Sequence, residues 1–149
     1  MKLIGLVIAS LLFTQNLTAQ TYIDPPFEGK STALVHIDKI KFTKKYTIVY
    51  MTCVAPKSFV FGGWACITQS TYIEDVARKK KYELIKVKGI PVCPNKYNFT
   101  KDGQAIKFKL FFPKLKYNVR HIHIIEDLKD AQNVQNPFNF FNVYLKPIA

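Results

Sequence analysis

Ile106-Lys107-Phe108-Lys109-Leu110-Phe111-Phe112-Pro113 decides the fold class of this chain. On an extended backbone Ile106, Phe108, Leu110 and Phe112 leave one face, and Lys107 and Lys109 leave the other. A helix would repeat its apolar residues with a period of about 3.6, and this stretch repeats with a period of about 2. Just upstream, Lys101-Asp102-Gly103 has turn chemistry, and Gly89-Ile90-Pro91 closes an earlier apolar run. Thr71-Tyr72-Ile73 and Lys81-Tyr82-Glu83-Leu84-Ile85 continue the rhythm back to Trp64. Short alternating segments separated by turns describe an all-β domain.

Extending the reading to the whole chain yields seven strand candidates: 33–42, 46–54, 64–74, 82–90, 105–112, 118–126 and 138–145. The third carries a break at Gln69-Ser70, and the fourth ends at Pro91, which has no amide to donate to a ladder. In the sixth, Ile122 and Ile124 claim the core and leave His121 and His123 outside. Only residues 74–80 and 126–133 look helical, for one turn each. About seven short strands with regular turn signals predict an antiparallel sandwich of immunoglobulin type. Residues 20–31 contain Pro25-Pro26 and Gly29, and are expected to form an irregular lead-in.

Residues 1–19 read as a signal peptide: Lys2, an apolar stretch from Leu3 to Phe13, and small residues ending at Ala19. The apolar stretch falls short of the roughly 20 residues a membrane span needs. The expected organisation is therefore a signal peptide at 1–19, a lead-in at 20–31 and one sandwich domain at 32–149. The expected address is the periplasm or the exterior, with no integral membrane segment after cleavage.

The pieces Thr71-Tyr72-Ile73, Lys81-Tyr82, Gly89-Ile90-Pro91, Phe99, Phe108-x-Leu110-x-Phe112-Pro113, Ile124-Ile125-Glu126 and Phe138-Asn139-Phe140 carry a resemblance. They are similar to the core and turn positions of small exported bacterial immunoglobulin-like sandwich proteins, spread over most of residues 33–146. The resemblance implies a fold and an exported address. It brings no catalytic residue.

The chain of 149 residues has 22 Lys+Arg against 10 Asp+Glu, a formal net charge of +12. Only Arg78 and Arg120 are arginines, so the charge is nearly all lysine, a solvated point charge without a planar fork for phosphates or bases. Two readings follow, a surface that keeps strand edges apart and a site for a polyanion. Lys107 and Lys109 are the candidate binding lysines. Phe59, Phe61 and Trp64 are candidate recognition aromatics in an apolar connection, with burial at the sandwich end as the competing reading.

Chemistry-bearing constellations are sparse. His121-x-His123 needs a third ligand that no spacing supplies, so neither metal nor cofactor is expected. The serines lack an elbow motif, and Glu74-Asp75 and Glu126-Asp127 split across opposite faces of a strand. In an oxidising compartment Cys53–Cys66 is the leading pairing, with other pairings and three free thiols left open.

These readings predict a non-catalytic, exported binding module whose partner is a protein or an envelope polyanion. Alternatives are a dedicated binder of surface glycan or anionic lipid, a carrier of a small apolar ligand between the sheets and, last, an enzyme. Nucleic acid is not expected as the natural partner of an exported protein.

Overall fold

The computed structural model describes residues 20–56, 63–129 and 137–145. Within them the chain forms twelve strands and no α-helix. They are β1 (Thr21–Ile23), β2 (Gly29–Lys30), β3 (Val35–Phe42), β4 (Tyr46–Val54), β5 (Trp64–Ala65) and β6 (Tyr72–Asp75). The second half adds β7 (Lys80–Glu83), β8 (Lys86–Lys88), β9 (Tyr97–Asn98), β10 (Ala105–Pro113), β11 (His121–Ile125) and β12 (Asn139–Tyr144).

Two five-stranded sheets hold most of them, in the orders β1-β3-β4-β10-β8 and β2-β12-β11-β6-β7, with β5-β9 as a small third ladder. All strand pairs are antiparallel. The alternation of β10 is largely kept, although Ile106 is only half-buried and the outward Phe111 is buried as well: Phe108, Leu110 and Phe112 are buried, and Lys107 and Lys109 are exposed. They meet Val49 and Met51 of β4, and from the second sheet Ile73, Ile122, Ile124, Phe140 and Val143, in one apolar core. Burying side chains of this size is the main stabilising term, about 1.5–3 kcal/mol each.

Three expectations are corrected. The lead-in is not irregular. Its ends supply an edge strand to each sheet, β1 against Lys39–Lys41 and β2 against Phe140–Phe141, while Pro25 and Pro26 fall between them. Segments of two or three residues are too short to display a period, so sequence could not reveal them. Second, residues 82–90 do not form one strand. The Leu84 amide donates to Thr71 of the second sheet and the next amide, Ile85, donates to Phe111 of the first, so the chain changes sheets there. Residues 64–74 divide into β5 and β6 around a turn at Gln69–Ser70, as the break there suggested. Third, residues 76–79 form a turn rather than a helix, and much of 126–133 lies outside the described residues.

Candidate binding face

The outward side of the first sheet is built on β4. Thr47, Val49, Met51 and Cys53 point inward and are buried, which turns Tyr46, Ile48, Tyr50 and Thr52 outward. β3 flanks this strip on one side and β10 on the other. Lys39 and Lys109 both register with Tyr50, Lys41 and Phe111 with Ile48, and Lys107 with Thr52. β8 extends the face, with Lys88 opposite Lys109 and Lys86 opposite Phe111.

Six lysines from three strands thus surround an apolar and aromatic floor. Four of their ammonium groups, those of Lys39, Lys86, Lys88 and Lys109, lean over it. Lys39 Nζ lies 4.4 Å and Lys109 Nζ 5.0 Å from the centre of the Tyr50 ring. Lys86 and Lys88 lie 4.8 and 5.5 Å from the centre of Phe111, an outward side chain left only 7% exposed. Lysine stems cover apolar surface while their heads stay in water, and each such contact contributes about 0.5–1 kcal/mol at an exposed site. Among the described residues, no ion pair engages any of these six lysines.

A groove of about 520 Å³ opens on this face, lined by Asp38, Lys39, Tyr50, Lys88, Lys107 and Lys109, with Met51, Gly89 and Phe108 beneath. Asp38 reaches it through a β-bulge: Ile37 pairs with Met51 and Lys39 with Tyr50, so Asp38 is the extra residue. Its carboxylate accepts a 2.7 Å hydrogen bond from the Thr52 hydroxyl. Gly89 permits the groove wall to close up, because its φ is +90° and a Cβ there would lie 2.6 Å from the Lys107 carbonyl oxygen.

Of the residues singled out in the sequence, Lys107 and Lys109 therefore lie together in a groove. Lys39, Lys88, Asp38 and Tyr50 were missed, since they join it only through strand pairing. Trp64 sits on the β5-β9 ladder, 37% exposed, with Lys96 Nζ 4.1 Å from its ring centre, and does not line the groove. Phe59 and Phe61 lie outside the described residues.

The Cys53–Cys66 pairing is also corrected. Cys66 bonds to Cys93, with Cα atoms 5.1 Å apart. An Ile67–Val92 bridge brings them together: the Cys93 amide donates to the Ile67 carbonyl at 2.9 Å, and the Ile67 amide donates to Pro91 at 3.0 Å. Cys53 instead faces the core from β4, paired with Val35 and Ile106. Burial, assisted by the Glu126 carboxylate, pushes its thiol up to about 11, so it stays protonated and unreactive at neutral pH.

The outer side of the second sheet is organised differently. His121 rests edge-on against Tyr144 at 4.6 Å, and His123 against Phe141 at 5.7 Å. His123 Nδ1 accepts the backbone amide of Asn142 at 3.0 Å, where a second bulge places Asn142 at φ 48°. Glu28 accepts hydrogen bonds from the Asn142 amide group and the Tyr144 hydroxyl, which lower its pKa. No group of three His, Cys, Asp or Glu side chains suited to a metal comes together among the described residues.

Two carboxylates of this sheet are buried, with opposite consequences. Glu126, 4% exposed, accepts the amides of Thr68 and Phe138, each at 3.1 Å. Desolvation outweighs those two bonds and raises its pKa. Asp75, 1% exposed, is also pushed up by desolvation. Bonds from the Arg78 side chain at 2.8 Å and from the Arg78 and Ala77 amides more than reverse this, and its pKa is lowered. Arg78 in turn donates to Asn118 at 2.7 Å.

No helix among the described residues is long and apolar enough to cross a membrane. No family model matches the chain, and neither a curated protein nor a solved structure matches it significantly.

Proposed function

We propose that this protein is an exported, non-catalytic binding module with an immunoglobulin-like fold, and that it holds a polyanion on the outer face of its first sheet. Strand order supports the fold reading. Without the edge strands β1 and β2, the orders β3-β4-β10-β8 and β12-β11-β6-β7 follow the ABED and GFC order of that fold, with β7 added beside the C-equivalent strand. The export reading rests on residues 1–19 and on the Cys66–Cys93 bridge, a bond that persists in oxidising compartments.

The observation that carries the binding reading is the convergence of Lys39, Lys88, Lys107 and Lys109 on one groove, with none of them in an ion pair among the described residues. Like charges directly opposite one another, as Lys88 and Lys109 are, destabilise a sheet. An anion laid across them relieves that repulsion. The carrier reading has less support, because Met51, Phe112 and Phe140 fill the space between the sheets and are fully buried.

Retention on immobilised heparin tests the proposal. Binding is expected at low salt and weakens as the screening length falls to about 3 Å near 1 M. The double variant Lys39→Glu/Lys109→Glu should elute far earlier at unchanged melting temperature. Equal retention of variant and parent, or none by the parent at low salt, overturns this assignment of the face.

A further inference from the structure

We infer that the groove on the first sheet takes an acidic polysaccharide, a chain of sugar rings bearing carboxylate or sulfate, rather than a polyanion recognised by charge alone. The inference rests on the polyanion reading and adds the chemistry between the charges.

Asp38 is the first reason. A site built only to hold negative charge has no use for a carboxylate on its wall. Here a bulge inserts one beside Lys39, and Thr52 holds it by a hydrogen bond to one oxygen. The second oxygen is left to accept from a ligand, and a sugar chain presents hydroxyl donors on every ring, where polyphosphate offers none and polyglutamate only its backbone amides. The lysines around Asp38 then supply the net attraction.

The floor is the second reason. Between the lysines of β3 and those of β10 runs β4, with Tyr50 and Ile48 at its centre. Adjacent strands lie about 4.8 Å apart, so the two lysine rows stand about 10 Å apart across that floor, and residues two apart along a strand are separated by about 7 Å. That is a trough for a single chain, with an aromatic and apolar base for the C–H faces of rings and cations along both rims. Pockets that orient a ligand combine such an apolar lining with a few placed polar groups.

The third reason is the choice of cation. Both arginines lie elsewhere. Arg78 is engaged with Asp75 and Asn118, and Arg120 immediately precedes β11 in the second sheet. Bidentate recognition of phosphate and of carboxylate alike calls for arginine, while lysine acts as a point charge. The lysines here therefore attract an anion without fixing its geometry, and leave that selection to Asp38 and the floor.

The test ranks ligands by calorimetry at low salt with the disulfide-bonded protein. The probes are oligogalacturonate and heparin oligosaccharides, against polyglutamate, polyphosphate and oligo-dT of matched charge. One of the two acidic oligosaccharides should bind at least about tenfold tighter than all three controls, and which one it is separates carboxylate from sulfate recognition. Asp38→Ala should weaken that oligosaccharide several-fold and strengthen polyphosphate, since it removes an acceptor from one and a repulsion from the other. A control that binds as tightly as both oligosaccharides, or a variant that strengthens every ligand alike, overturns the inference and leaves the polyanion reading standing. Failure of every polymer to bind defeats both. Should Asp38→Ala not fold, the ranking with the parent protein decides alone.

Discussion

The two outer faces of this protein grow from the same inner core yet dispose of their polar groups in opposite ways. On the second sheet, Glu28 is held by Tyr144 and Asn142, and His123 by the Asn142 amide. Around β12 the polar side chains of that face answer one another. On the first sheet Lys39, Lys86, Lys88 and Lys109 lie over aromatic rings, none of the six lysines is in an ion pair among the described residues, and Asp38 accepts from one hydroxyl. Alternation alone does not distinguish these faces, because both read as outward and polar. The difference lies in whether complementary groups are already present. Under the proposed function, the face that lacks them is the one that takes the ligand.

The comparison presumes one core shared by both sheets, and the largest expected effects test that. Phe112 of the first sheet and Phe140 of the second are both fully buried, so truncating either to Ala should cost about 3–5 kcal/mol in denaturant unfolding. A near-zero cost for one of them would detach its sheet from the core. Next comes the covalent tie. Cys66 directly follows β5 and Cys93 lies between β8 and β9, so their bond, beside the Ile67–Val92 bridge, fastens the small β5-β9 ladder across a separation of 27 residues. Replacing both cysteines by Ala should cost about 3–4 kcal/mol on the chain-entropy account. Alkylation of the native protein should leave Cys53 unmodified until unfolding, because the thiol is buried and its pKa raised.

Smaller effects separate the faces themselves. Asp75→Asn breaks a charged network on the second sheet and should cost about 1–3 kcal/mol, whereas Lys109→Ala on the first should stay within about 0.5 kcal/mol. Equal costs would erase the contrast between a buried, paired carboxylate and a solvated lysine. For binding, each of Lys39, Lys107 and Lys109 replaced by Ala should lower the slope of log affinity against log salt by about 1 if it meets an anion. The finest test is pH. The folded pKa of Asp75 is lowered, so its contribution is present above its unfolded value of about 3.9 and disappears as pH falls through the folded one. For Glu126 the folded pKa is raised. Its contribution is complete below an unfolded value of about 4.3 and is lost as pH rises through the folded one. Melting temperature should therefore carry a small downward contribution from Glu126 as pH rises above about 4.3 through its raised folded pKa, and Glu126→Gln should remove it.

Residues 105–113 and 46–54 carried their structure in plain view, because a strand with one buried face must alternate and the chain states that alternation locally. The same logic placed Ile122 and Ile124 in the core and made Lys107 and Lys109 outward candidates. Local pattern is silent on which strands lie side by side. The groove needed β3 and β8 brought beside β4 and β10, which assembled Lys39, Asp38, Tyr50 and Lys88 from positions as far apart in sequence as 38 and 109. Strand pairing likewise chose Cys93 over Cys53 as the partner of Cys66, and recruited β1 and β2 from a proline-containing lead-in to close the sheet edges. Sequence by itself determined the strand class, the inward sides of the long strands and the excess of lysine. Tertiary structure alone decided where that charge gathers and what stands beside it, because register and neighbour choice come from burying distant apolar faces together rather than from any residue's local preference.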